Sequence, residues 1–451
     1  MVKQNEAALR RQNERTIFTF VKTKGGVFVA VTEDGVFLRV LRSTVYRHLS
    51  LQGDHIVHLA QERTMLSSLA AMREQGVPMV VYVDRIFRGK KTYAFIKKAK
   101  EIGGDLKIVV LTGPAGPESL IMCYEMGADN LIFKPVSVNT LIAKTAVTLQ
   151  PPGKAEQLLE AGTTLLSEGD AVRAQGLARY LLELNPRSAA AYVLLGDSLH
   201  LQGQRDAALE AYQLASEHAR MYLKPLKRLA ELYSEEGDNA TGLSYLEKLD
   251  AINPYNMDRK VDMGDLNVKL GNEKEAESLF EAAVRGASDE MLNYAEEISR
   301  RIADVYSEYD PARAERYYRR TLESRSTRLS IEDIAIFNQL GLTLRRQGKW
   351  KEAVVEYKKA MKIAPKDENL AYNAAMAYAE GGRFFEASEC IHAALELNPE
   401  FHRHEAGVAY NIAVIFAKLD DPRTAHRFLD VALQLDPDFA KARELLQSLA
   451  A

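Results

Sequence analysis

The sequence predicts an α/β domain on a five-stranded parallel sheet, followed by an all-α solenoid of stacked helix pairs. Three observations carry this. First, up to residue 149 short β-branched runs alternate with helical segments, the mark of a parallel sheet with helices on its faces. Second, from Ala155 a 34-residue period takes over: Pro186, Pro254, Pro365, Pro399 and Pro437 each lie 24 residues after a Gly or Ala (Gly162, Ala230, Gly341, Ala375, Ala413) and 12 after another small residue (Ala174, Gly242, Ala353, Ala387, Ala425). A repeat of this length is one helix–turn–helix unit that buries its apolar face only by stacking on neighbours. Third, Gln150-Pro151-Pro152-Gly153-Lys154 separates the two regimes with a helix-breaking stretch.

Bulk properties set the class. At 451 residues the chain exceeds one core, so about two or three domains are expected. Apolar content of 47% and charged content of 27% describe a soluble globular protein. No apolar run approaches the roughly 20 residues that span a bilayer, and Met1 to Arg15 lacks the apolar core of a secretory signal. Cys123 and Cys390 lie far apart without CxxC partners, so reduced thiols and a cytoplasmic location are expected. Residues 1–150 hold 21 Lys and Arg against 13 Asp and Glu, a balance of +8; the remainder holds 38 against 49, a balance of −11. Two unlike surfaces, mutual attraction of the halves, or an anionic partner for the first half all fit this asymmetry. Aromatics are not interleaved with the cations, so nucleic acid is not an expected partner.

The sheet units run in order. Residues 1–25 form an extension: Ala7 to Arg15 reads as a short polar helix and Ile17 to Val21 as an apolar run, neither with a place in the sheet fold. The domain proper is 26–149. Strand Val27–Val31 leads to helix Val36–Leu49, and Ile56–Leu59 to helix 62–75. Strand Met79–Val83 ends in Asp84 and leads to helix 91–101. Strand Lys107–Leu111 ends in Thr112-Gly113 and leads to helix 118–126. Strand Asn130–Phe133 ends in Lys134-Pro135 and leads to helix 138–149. In a doubly wound sheet the working crevice lies at the strand C-termini, where Asp84, Thr112 and Lys134 are placed.

An Asp after strand three, a Thr after strand four and a Lys-Pro after strand five resemble the response-regulator receiver domain, a flavodoxin-like fold. That resemblance implies Asp84 as phosphoacceptor, Thr112 on the phosphoryl oxygens, Lys134 paired with carboxylate or phosphate, and Pro135 after an unusual peptide bond. Leu131 stands where the family carries a switch aromatic. A receiver also holds Mg²⁺ between its phosphoacceptor and acids after strand one, because Mg²⁺ takes hard oxygen ligands. One register puts Thr32 and Glu33 there, leaving Glu33 and Asp84 as ligands; a one-residue shift supplies Glu33 and Asp34. No cofactor is required, and Mg²⁺ enters only with phosphorylation. After Asp84, Arg85, Arg88, Lys90 and Lys91 put four cations around the acid, replacing a metal's charge or forming a structural ion pair; Arg88 stands where the family has proline. A degenerate docking module and a working phosphoacceptor both follow from this pattern.

The repeats occupy 155–439, about eight units, with 440–451 as a capping helix. The fifth is worn, and Ser324 to Arg328 reads as an irregular connection. These units resemble the tetratricopeptide repeat family, which implies a right-handed superhelix whose first helices line a groove for peptides or helices of other proteins. By the family's positional rule the last three repeats present Asn338, Gln339, Arg345 and Arg346, then Tyr372, Asn373 and Met376, then Tyr410, Asn411 and Lys418. Amides pair with any peptide backbone and cations attract a carboxylate.

No P-loop, nucleophile elbow, HExxH or zinc spacing occurs, so no enzyme activity is expected. His402 and His404 read as solvent-facing, and Trp350 as helix packing. The expected function is a protein–protein interaction scaffold in bacterial signalling, with a receiver-like module coupled to the repeat groove. The alternative is a phosphorylatable response regulator with the repeats as output. Partners are other proteins in the groove and a histidine kinase or signalling protein at the receiver.

Overall fold

Five parallel strands, β1 (Val27–Val31), β2 (Ile56–His58), β3 (Met79–Asp84), β6 (Leu106–Thr112) and β7 (Asn130–Phe133), pair in the order β2-β1-β3-β6-β7. Counting these five strands alone, the order is 2-1-3-4-5, a doubly wound arrangement with its switch point between β1 and β3. This computed structural model describes all residues except 1, 152, 220, 221, 327, 328 and 451, and the side chains of all these except 2–7 and 450. Pro152 of the expected break and residues 327–328 of the expected irregular connection lie outside the described residues. The chain divides into two compact units, Met1–Ala295 and Glu296–Ala451.

Alternation along the strands sends side chains to two apolar layers. Val29, Val31, Val81, Val83, Ile108 and Val110 meet Met65 and Leu69 of α3 (Glu62–Glu74), Phe95 and Ile96 of α4 (Tyr93–Glu101), and Met122 and Cys123 of α5 (Pro117–Glu125). On the other face Phe28, Ala30, Val80, Tyr82, Val109 and Leu111 meet Phe37 and Leu41 of α2 (Gly35–Arg42) and Leu141, Ile142 and Ala146 of α6 (Val138–Leu149).

Three local expectations need correction. Residues 2–22 are one helix, α1 (Val2–Lys22), rather than a polar helix and a separate run. Its Ile17, Phe20 and Val21 lie on one helical face and are buried in the second layer, so the extension is part of the core. The helix expected over 36–49 ends at Arg42 and continues as a wider π-turn, Ser43–His48, where the Thr44 hydroxyl bonds back to the Val40 carbonyl at 2.8 Å. The helix expected from residue 91 starts at Tyr93, because β4 (Ile86–Phe87) and β5 (Lys90–Lys91) form a hairpin. Its turn residues Arg88 and Gly89 have φ of 51° and 76°, the two positive angles of a type I′ turn. Proline, fixed near −65°, cannot take that place, which accounts for its absence there.

In the first unit the repeat helices pair as α7 (Lys154–Ser167) with α8 (Ala171–Leu184), α9 (Ala189–Leu201) with α10 (Arg205–His218), α11 (Lys224–Glu235) with α12 (Asn239–Ile252), and α13 (Met257–Lys269) with α14 (Glu273–Ser288). The second starts within α15 (Tyr294–Tyr309) and holds α16 (Pro311–Ser324), α17 (Ile334–Arg346), α18 (Trp350–Ile363), α19 (Glu368–Glu380), α20 (Phe384–Leu397), α21 (Ala406–Lys418), α22 (Pro422–Leu435) and α23 (Ala440–Ala450). The small residue of a first helix lies under an aromatic of the second: a Cβ on Gly264 would overlap Phe280, and one on Gly341 would overlap Tyr357. Trp350 packs over Gly381 and Tyr378. In the worn fifth unit, Arg325 ties the chain together by pairing with Glu296 at 3.0 Å and with Asp333.

Candidate functional site

At the β1/β3 switch point the strand ends converge on Asp84, which is 8% exposed. Lys134, one residue beyond β7, reaches Asp84 Oδ1 at 2.5 Å and Asp34 Oδ2 at 2.9 Å, bridging two carboxylates from different strand ends. The Thr32 hydroxyl donates to the other Asp84 oxygen. Asp34 also caps α2, accepting from the amides of Val36 at 2.9 Å and Phe37 at 3.0 Å. Burial pushes Asp34 up, but Lys134 and these amides outweigh it and hold the carboxyl below the usual range. Burial works against the charge on Lys134, and the two carboxylates overcome it, raising the ammonium above the ordinary lysine value. The Lys134–Pro135 peptide bond is cis.

Glu33 does not join this cluster. It points outward to Arg88 at 2.7 Å, with both side chains about half exposed. The four cations after Asp84 do not surround it either: Arg85 donates to the Thr112 hydroxyl at 3.0 Å, Arg88 holds Glu33, Lys90 lies 4.0 Å from Glu62, and Lys91 pairs with Asp289 at 3.7 Å. The hairpin turns them away, and Lys134 alone among these cations supplies charge to the acid. Thr112 in turn donates to the Gly113 carbonyl at 2.9 Å.

This donor set does not fit Mg²⁺. Both oxygens of Asp84 and both of Asp34 are engaged, Glu33 is tied to Arg88, and an ammonium occupies the centre a cation would need. Among the described residues, no group of three or more His, Cys, Asp or Glu is placed to hold a metal ion.

Two supporting residues carried no sequence signal. His58 at the end of β2 meets the Thr32 carbonyl through Nε2 at 2.8 Å, so that nitrogen bears the proton. Thr92 donates to the Asp84 carbonyl at 2.8 Å, fixing the start of α4 to the acid's backbone.

On the repeats of the second unit, the predicted groove side chains largely satisfy one another. Asn373 donates to Asn338 at 3.2 Å, and Asn411 to the Tyr372 hydroxyl at 2.9 Å. Tyr372 packs on Phe401 and Tyr410 on Phe439, with ring centroids 5.3 and 5.0 Å apart. Arg345 forms a two-nitrogen ion pair with Glu380, both Nε contacts at 3.0 Å, and Arg346 donates to the Ser307 carbonyl at 2.9 Å. The expected positive end is therefore neutralised at Arg345. Gln339 and Lys418 are exposed, and Met376 is buried. His402 stacks edge-on against Phe428 and is only half exposed, while His404 faces solvent.

A second cleft, of about 360 Å³, lies on the first unit between α7, α9 and α11. At its centre Asp197 accepts from the Tyr212 hydroxyl at 2.9 Å and pairs with Arg228 at 2.9 Å, while Arg228 also holds Glu231 at 2.8 Å. Burial lowers Arg228, but Asp197 and Glu231 outweigh it and raise the guanidinium above its ordinary value. Asp197, Arg228 and Glu231 stand at the same repeat positions as the side chains predicted in the last three repeats. Applying that positional rule to the early repeats would have found them.

Models of the tetratricopeptide repeat match residues 159–220 and 344–409. The two stretches are tetratricopeptide repeats. No curated protein matches the chain. Among solved structures, the C-terminal part of a tetratricopeptide repeat protein from Cytophaga hutchinsonii is 14% identical, covering 63% of this chain and 98% of its own, with a TM-score of 0.39. A tetratricopeptide repeat protein from Parabacteroides merdae is 18% identical over 66% of this chain and 100% of its own, TM-score 0.33. The first such region of Spaghetti, bound to an HSP90 peptide, is 22% identical over 27% and 94%, TM-score 0.25. At these scores the likenesses add no detail. Tetratricopeptide repeats act in protein–protein interaction and peptide binding. Among the described residues, no helix is long and apolar enough to cross a membrane.

Proposed function

We propose that the chain is a cytoplasmic protein–protein interaction scaffold in bacterial signalling, in which a degenerate receiver module is coupled to tetratricopeptide repeats that hold a segment of another protein. The strand order, with Asp84, Thr112 and Lys134 at the strand ends, supports the receiver resemblance. One observation carries the degenerate reading: Asp84 and Asp34 are satisfied by Lys134 and Thr32 of the same chain, while Arg88 holds Glu33 outside the crevice. A metal and a phosphoryl group would have to displace Lys134 and Thr32. The cluster around Asp197 in the first unit and, separately, the cluster around Asn373 and Asn411 in the second are each a surface for a bound segment, where amides and paired charges exchange one hydrogen bond for another.

A phosphorylatable response regulator, served by a histidine kinase, is favoured by the gathering of Asp84, Thr112 and Lys134 at one sheet edge. Treating the full chain with an acyl phosphate and Mg²⁺ separates the readings. The degenerate module stays unlabelled by intact mass spectrometry. Stoichiometric, Mg²⁺-dependent labelling that disappears in Asp84→Asn would establish the phosphoacceptor instead.

A further inference from the structure

Within the first unit, the face of the sheet domain formed by the hairpin, α4 and α5 is covered by the chain's own fourth repeat. The outer strand β5 continues its hydrogen bonding into the turn after α14: the Lys91 amide donates to the Asp289 carbonyl at 2.8 Å, and the Met291 amide to the Lys91 carbonyl at 3.0 Å. Met291, fully buried, belongs to the apolar layer of the sheet beside Phe87 and Tyr93. The Leu292 amide donates to Glu62 of α3 at 2.6 Å. Glu290, 5% exposed, accepts from the Ala94 amide at 3.2 Å, at the positive N-terminal end of α4. Beside this turn, Glu125 at the end of α5 accepts from Asn256 at 2.8 Å and pairs with the buried Arg259, and Lys97 of α4 pairs with Asp258 at 2.7 Å.

We propose that the turn Asp289–Leu292 is an internal latch, which clamps the fourth repeat onto this face of the sheet domain with a grip set by the charge on Glu290. The surface is a docking site whose partner lies in the same chain. The proposal does not depend on whether Asp84 accepts a phosphoryl group.

The groups facing Glu290 are the amides of Tyr93 and Ala94 on α4, Lys91 on β5, Asp289 in its own turn and the Cys123 thiol on α5. Burial raises the Glu290 carboxyl from 4.5 to about 7, against the opposing pull of the amides and Lys91. Cys123 is pushed up to about 11 by burial and stays neutral over the range that matters. Undocked and solvated, Glu290 would titrate near its ordinary value, so closing the latch takes up a proton between these two values. The grip is strongest below the undocked value and weakens as pH rises through about 7.

Hydrogen exchange of the full chain tests this through the amides of Lys91, Ala94, Met291 and Leu292, corrected for intrinsic rates, with β3 and β6 amides as internal reference. Between about pH 5.5 and 8, protection at the four latch amides should fall about ten- to thirtyfold while the reference stays constant. Glu290→Gln should remove the slope and keep the latch protected at the higher pH. Arg259→Gln should lower protection by a similar factor at every pH, because it breaks the adjoining ion pair without touching the titrating group. A flat profile in the unaltered chain, or an unchanged slope in Glu290→Gln, overturns the proposal. Should Glu290→Gln disturb the reference amides, the unaltered chain and Arg259→Gln still decide: parallel slopes support the latch, and two flat profiles reject it.

Discussion

Lys134 holds the Asp84 crevice together, since its ammonium is shared by two acids that would otherwise repel. Lys134→Met should cost about 1–3 kcal/mol at neutral pH in urea unfolding, because it leaves Asp84 buried without its cation. The acid side has a definite sign. Asp34 is held below its ordinary value, so its contribution is present above the unfolded pKa and is lost as pH falls through the lower folded one. Lys134→Met should therefore flatten the loss of stability expected of the unaltered chain below about pH 4; an unchanged acid limb would show that Asp34 gains its low value from the α2 amides alone. The place of Asp84, Thr112 and Lys134 at strand ends was legible because β-branched runs fix where strands end. The direction of Glu33 was not, because it depends on Arg88 reaching across from a hairpin 55 residues away. Asp34's capping role was available in the Asp-Gly-Val-Phe run that precedes a helix.

Whole elements were read best where the period is strict. The repeat helices follow from spacing, since a Gly on one helix admits the aromatic of the next, as with Gly264 under Phe280. Only the Ala7–Arg15 part of α1 is legible as helix, because Ile17, Phe20 and Val21 look like a linear run unless placed on a helical wheel. The hairpin was missed because two-residue strands carry no periodicity, although an Arg-Gly pair between Phe87 and Lys90 fits a type I′ turn. At α17, α19 and α21, the satisfied amides change what a groove variant should do. Replacing Asn373 and Asn411 together by Ala should leave the repeats folded and weaken a bound segment by about 0.5–1.5 kcal/mol, since each amide already has a partner to return to. Arg345→Ala should show no added salt dependence of binding, because its charge is spent on Glu380. Calorimetry at low and high salt with a protein segment that the repeats bind checks both; a strong salt dependence specific to Arg345 would restore it as an anion contact.

At the scale of the whole molecule, the +8 and −11 division between residues 1–150 and the rest left unlike surfaces, attraction between the halves and an anionic partner all open, and named no contact. In the first unit the contact is made by particular groups rather than by net charge: Lys97 with Asp258 follows the overall sign, while Glu125 with Arg259 reverses it. No local pattern could announce this, because the pairs are separated by more than a hundred residues and Met291 lies in what reads as an ordinary inter-repeat turn. If that contact holds the sheet domain to the early repeats, the covalent link through 150–154 is dispensable once the chain has folded. A protease site placed between Gln150 and Lys154 should give two pieces that co-elute on gel filtration after cleavage. Their association should weaken only modestly between about 0.1 and 0.5 M salt, because screening reaches the half-exposed Lys97 pair more than the buried Met291 and Arg259. Arg259→Gln combined with Met291→Ser should release them, by leaving Glu125 without its cation and placing a hydroxyl in the apolar layer. Pieces that separate on cleavage without any substitution would mean that the linker, and not the latch, holds the two domains together.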